Sequence, residues 1–241
     1  MENIKQFYIL GQPIETKLGT IRFIKVKEYP QFAELLGYLL IEKNELLSQF
    51  KKLSQLDESM KILYDFLKDR TMFEFIKTIR DYNMNFFGLY QIYEGHVELF
   101  KFCFNEDVFD KIETDKEFEY YKELILEMNA IPYEKPNPNP EIERFNKMKR
   151  WLNHNKGESI TFEAMYTSVW AYLGECPDEL TLYQFHKLFE RIAQFKNFDI
   201  SSISAMFSEK PKIEWWFKDL SQNNEEQQYL DEKDLKLKKS L

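Results

Sequence analysis

The side chains able to act as nucleophile, base or metal ligand are few and scattered: His96, His154, His186, Cys103 and Cys176. Nucleophilic catalysis needs an activated nucleophile, a base beside it and a group that orients the base. None of the histidines lies in such a motif. His96 and Cys103 would meet only if the chain closed a hairpin around Glu94-Gly95, and packing is the usual role of a cysteine outside a motif. His186, within Phe185-His186-Lys187, has Glu190 at i, i+4, a helix-surface contact worth about 0.3 kcal/mol. The sequence contains no HExxH, no CxxC and no Asp-rich calcium loop with its glycine. No glycines cluster as a phosphate cradle would require. The acidic pairs Glu225-Glu226 and Asp231-Glu232 fall in a polar tail where water keeps their ionisation ordinary. The expectation is a protein that is not an enzyme, with no catalytic residue, cofactor or metal site.

Surface recognition is the remaining candidate chemistry. Trp215-Trp216-Phe217 follows Pro211 at the end of the last apolar segment. Adjacent aromatics on a regular element point in different directions, so at least one is expected to face a partner or to clasp the domain edge. A basic run on one predicted helix, Arg144, Lys147 and Arg150 with Lys149 and Lys156, reads either as a solvated face or as a site for an acidic partner.

The elements that must hold these residues follow from composition and pattern. The 241 residues include 22 Phe, 14 Tyr and only 7 Gly, with 31% charged residues. That is enough apolar material for a sizeable core, and scarce glycine favours helix over sheet. A net charge of −8 argues against nucleic acid as a partner, since phosphate neutralisation needs clustered Lys and Arg. No run approaches the roughly 18–20 apolar residues of a membrane span, and no signal-like N-terminus is seen, so a soluble intracellular protein is expected.

The opening residues, FYIL and then IETK and TIRFIKV around Leu18-Gly19, predict a hairpin. Tyr29-Pro30 opens a helix carrying Phe32, Leu35, Leu36, Leu39, Leu40, Leu46, Leu47 and Phe50 on one side. Asp57 caps the next helix, and Thr71–Glu74, Thr114–Glu117 and Thr181–Gln184 each spell a capping box. Between Tyr82 and Phe104 the pattern reads as a second hairpin, NFFGLYQIY and HVELFKFCF around Glu94-Gly95. Thr161 and Gly174 bracket a helix with Phe162, Met165, Val169 and Leu173 inward. The fold expected is predominantly helical α+β: an N-terminal β-hairpin plus helices with a second short hairpin, then a C-terminal helical bundle. Residues 1–130 form the N-terminal domain and 141–220 the helical one. The Pro-rich stretch 131–140, with Pro132, Pro136, Pro138 and Pro140, is a linker or a rigid strap between them, and 221–241 is a polar, disordered tail.

Two stretches carry a family resemblance. Ile24-Lys25-Val26-Lys27-Glu28-Tyr29 with Phe32, and Leu180-Thr-Leu-Tyr-Gln-Phe with Arg191-Ile192, resemble segments of tail-assembly chaperone-like proteins of phages infecting Gram-positive bacteria. The resemblance covers about half the chain and carries no catalytic residue. It implies a tail-morphogenesis role in which the tape-measure protein is bound and kept soluble, with other tail proteins or a second copy of the chain as further partners. A structural tail component and a nucleic-acid-binding accessory using the basic helix remain the alternatives.

Overall fold

The computed structural model describes residues 5, 7–53, 55, 57–85, 88–133, 160–207, 213 and 215. Among them the chain is predominantly helical, with one small antiparallel hairpin near the N-terminus. Strands β1 (Ile14–Thr16) and β2 (Gly19–Ile21) pair in the register Ile14↔Ile21, Glu15↔Thr20, Thr16↔Gly19. The predicted turn at Leu18-Gly19 is there, with the Thr16 hydroxyl donating to the Gly19 carbonyl. The strand predicted at FYIL is instead a 3-10 turn, Tyr8–Leu10, that ends on Gly11 in the left-handed region. The strand predicted over TIRFIKV ends at Ile21: Lys25 forms only an isolated bridge, and Val26–Glu28 is a 3-10 turn.

Helices α1 (Tyr29–Leu39) and α2 (Lys43–Leu53) divide what reads in sequence as one apolar run. The break falls after Leu40, which is exposed, whereas Phe32, Leu36, Leu39, Leu46 and Phe50 are buried. α3 (Glu58–Lys68) starts on Asp57, whose carboxylate accepts from the Ser59 amide at 2.8 Å. α4 (Met72–Asp81) and α6 (Asp115–Met128) begin in two of the three predicted capping boxes, each with both reciprocal bonds formed.

The second hairpin does not exist. Leu89–Phe104 is one continuous helix, α5, with Gly95 buried at its middle. In sequence Glu94-Gly95 looks like a turn. In the fold the glycine is there because a Cβ at that position would collide with the ring of Tyr38 from α1. The covered residues Leu89, Ile92, His96, Leu99, Phe100, Cys103 and Phe104 recur at the three- and four-residue spacing of one helix face, a period obscured in the sequence by the aromatic residues Tyr90, Tyr93 and Phe102 between them.

The core is aromatic. Phe73 stacks on Phe118 at 5.1 Å, Phe109 meets Phe100 edge-on at 5.2 Å, and Phe104 meets Tyr121 at 5.9 Å. Burying each such ring contributes about 2–3 kcal/mol, with edge-to-face geometry adding to it.

The chain divides into two compact units. The first comprises Met1–Ile160 with Cys176–Phe185, and the second Thr161–Glu175 with His186–Leu241. In the second unit, α7 (Phe162–Leu173) is capped by Thr161 and closed by Gly174 at φ 76°. Val169 is buried and Phe162 and Met165 are half-buried, but Leu173, expected inward, is exposed in the last turn before Gly174. α8 (Leu182–Ala205) starts in the first unit and continues through the second. The Pro-rich stretch from residue 134 onward and the tail 221–241 lie outside the described residues.

The glycine at position 95 gives a sign test. Helix propensity alone makes Gly95→Ala stabilising by about 1 kcal/mol, whereas the collision with Tyr38 costs about 1–3 kcal/mol. Urea unfolding is expected to show a net loss from Gly95→Ala, and a smaller further loss when Tyr38→Ala is added to it than when Tyr38→Ala is made alone, because truncation at Cβ removes the ring atoms that collide; a gain in stability from Gly95→Ala alone would contradict the packing described.

Candidate functional site

The residues with catalytic potential do not come together. His96 and Cys103 lie two turns apart on α5, and both are buried. The His96 ring sits between Phe109 and Phe118, 5.8 Å from each centroid. Its Nδ1 is 2.7 Å from the Ile92 carbonyl, which can only accept, so Nδ1 carries the proton. Burial pulls its pKa down to about 4, against the raising effect of the Ile92 bond. The Cys103 thiol is pushed up to about 12 by burial. His186 is half-buried on α8, its pKa lowered chiefly by burial, and the neighbouring ion pair joins Lys187 to Glu190 at 2.8 Å. No group of three His, Cys, Asp or Glu able to hold a metal occurs among the described residues. No helix among them is long and apolar enough to cross a membrane.

The residues expected to meet partners are described in part. Arg144, Lys147 and Arg150, and likewise Trp216 and Phe217, lie outside the described residues. Trp215 is 50% exposed, with its ring tilted over Phe198 of α8 at 5.8 Å. Its neighbourhood holds a feature the sequence reading passed over. The buried stripe of α8, Leu182, Phe185 and Ile192, gives way near the C-terminal end to exposed Ile200, Ile203, Met206 and Phe207, the last 86% exposed. Bonds from the Met206 and Phe207 amides to the Ile203 and Ser204 carbonyls carry the helical turn beyond Ala205. Ile200, Ile203 and Phe207 therefore follow one another at i, i+3 and i+7, the spacing of anchors on a helix that lies in a groove. The signal was present in the sequence as apolar periodicity continuing past the core stripe. α7 of the same unit also presents exposed Trp170 and Tyr172.

A family profile described as the YomV N-terminal domain matches residues 2–138. The chain belongs to the YomV N-terminal domain family. The whole chain is also similar to the "SPbeta prophage-derived uncharacterized protein YomV" of Bacillus subtilis (strain 168), at 27% identity over 240 residues, covering 98% of this chain and 97% of that protein. No solved structure matches the chain. The profile spans the hairpin and α1 to α6, whereas the similarity to the prophage protein continues through α7 and α8 and supports a phage origin.

The buried histidine of this YomV-family core sets a pH dependence. Its folded pKa of about 4 lies below the unfolded value of about 6.5. Between these values the unfolded chain takes up a proton that the folded chain refuses, so stability falls as pH drops through that window. The loss by pH 4 is about 3 kcal/mol. Urea unfolding from pH 7 to pH 4 is expected to show His96→Leu losing less stability than the parent by roughly that amount; parallel curves would contradict it.

Proposed function

We propose that the chain is a non-enzymatic docking protein of phage morphogenesis, an assembly chaperone that covers an apolar helix of another phage protein. The observation that carries this reading is the exposed Ile200–Ile203–Phe207 stripe on α8. Exposed apolar side chains set at helical spacing are costly to leave in water and mark sites of helix-in-groove association. The similarity to a prophage-derived protein supports the phage setting. The resemblance of Ile24–Tyr29 and Leu180–Phe185 to tail-assembly chaperones supports the tape-measure protein as the partner. A tape-measure protein is a long helical chain with apolar stripes, and a helical protein with a net charge of −8 would keep such a complex in solution.

Co-expression with the tape-measure protein of the same phage tests the reading. The parent chain is expected to bring the tape measure into the soluble fraction, and Ile203→Asp or Phe207→Glu to abolish this while leaving thermal unfolding within a degree or two of the parent, as both positions are exposed. A tape measure that stays insoluble with the parent chain would sink the reading. Stoichiometric copies in purified virions would replace it with that of a structural tail component.

A further inference from the structure

The N-terminal unit carries a groove distinct from the α8 stripe. Among the described residues β1 has a strand partner on one side alone, in a sheet of two strands, and β2 leads to the end of α5, where the Arg22 amide donates to the Cys103 carbonyl at 3.0 Å. In the register observed, Thr16 and Gly19 close the turn as a hydrogen-bonded pair, so Glu15 and Thr20 form the alternate pair. The N–H and C=O of Glu15 therefore point away from β2, and among the described residues they take no backbone partner. β1 and α6 together line a cavity of about 500 Å³, through Glu15, Thr16 and Lys17 on the strand and Lys116, Glu117, Tyr120 and Tyr121 on the helix. Tyr120, 40% exposed, also lines a second cavity of about 240 Å³ with Tyr8, Ile14 and Leu124, rimmed by the Lys5–Glu127 ion pair.

We propose that this β1–α6 groove binds an extended peptide segment of a partner protein, added to the hairpin as a third strand. The strand would pair with the backbone of Glu15 and seat one aromatic or large aliphatic side chain in the 240 Å³ cavity beside Tyr120. Three features select this occupant. An open strand edge beside a cavity is the arrangement used in β-strand addition, in which main-chain bonds give affinity and pockets for alternate side chains give specificity. A cavity of about 150 Å³ already accepts a benzene ring, so this one has room for a Phe or Leu side chain. Across both cavities the lining carries Lys5, Lys17 and Lys116 against Glu15, Glu117, Glu123 and Glu127, so the preference for an acidic neighbour to that side chain rests on Lys17 and Lys116 alone. The Glu15 carboxylate accepts from the Thr20 hydroxyl and that of Glu117 from the Glu113 and Thr114 amides, whereas Lys17 and Lys116 form no ion pair among the described residues.

The test uses the full chain and a random ten-residue peptide library displayed on phage. Panning is expected to enrich peptides with an aromatic or large aliphatic residue next to an acidic one. The leading peptide, fluorescein-labelled, is then titrated by anisotropy. Glu15→Pro removes the outward N–H without touching a ladder bond, and Tyr120→Ala opens the shared wall; each is expected to weaken binding at least tenfold, and charge reversal of Lys17 and Lys116 several-fold. Should Glu15→Pro disturb the hairpin in circular dichroism, N-methylation of the pairing amide of the peptide reads the same bond from the ligand side. No enrichment over the bare support, or a peptide that binds the Glu15→Pro and Tyr120→Ala chains as tightly as the parent, would overturn the proposal.

Discussion

The N-terminal unit depends on how Arg22 to Val26, the segment that leaves β2 and enters a 3-10 turn at Val26, satisfies its backbone without a sheet to lie in. A buried amide left without an acceptor costs about 1–3 kcal/mol, and this segment carries several. Each finds a different source. The Arg22 amide donates to the Cys103 carbonyl at the end of α5, the Ile24 amide to Oδ1 of Asn129 beyond α6, and the Val26 amide to the Leu180 carbonyl. The Leu182 amide then returns a bond of 2.7 Å to the Ile24 carbonyl, forming an isolated antiparallel bridge at Lys25–Thr181. Asn129 is itself fixed, its amide nitrogen donating to the Ile125 carbonyl at 2.8 Å. The Arg22 guanidinium spans the same region, holding both carboxylate oxygens of Glu28 and the Phe102 carbonyl. Burial pushes the Glu28 carboxyl upward, but the bonds from Arg22 and the Lys25 amide outweigh it and leave the pKa below the usual range.

This arrangement explains why a C-terminal piece of chain, Cys176–Phe185, is part of the first unit. Thr181 and Gln184 close their capping box at the start of α8, and the Gln184 side chain also donates to the Ile9 carbonyl. Glu179 pairs with Lys25 and Lys27, whose hydrogen bonds and charges draw its pKa down to about 2. Tyr183 closes edge-on over Tyr8 at 5.6 Å. The residues matched by the family profile, 2–138, thus lack the strand-like piece that completes their own backbone bonding, and the similarity to the prophage protein, which runs through α8, includes it. The same anchoring fixes the start of the helix whose far end carries the exposed stripe.

Local signals in the sequence were legible wherever the physics is local. The capping boxes at Thr71, Thr114 and Thr181 and the Thr161 cap with its Gly174 terminator all formed, because a hydroxyl and an amide three residues apart need nothing from the rest of the fold. The failures lie where a distant residue decides. Gly95 mimics a turn until Tyr38 is seen to occupy the space of its missing Cβ. Tyr8–Leu10 is rich in strand formers but turns toward Gly11, with the Tyr8 ring packed on Phe23 and Tyr183. Asn129 looks like a helix terminator and serves also as a bridge to Ile24, a contact 105 positions away. For the docking surfaces, Trp215 was legible from its type, and its packing on Phe198 was not. The β1–α6 groove has no sequence signature, because the turn partners of Glu15 and the helix face of Tyr120 meet only in three dimensions.

Residue-resolved hydrogen exchange under native conditions tests the claim that Arg22–Val26 ties these pieces into one cooperative unit. The amides of Arg22, Ile24, Val26 and Leu182 have acceptors in four different places, so the account predicts that all four exchange only by unfolding of the whole unit, with one free energy and one denaturant dependence. If Val26 and Leu182 instead exchange at a much lower free energy than Arg22 and Ile24, the C-terminal piece opens by itself and the segment does not hold the unit together.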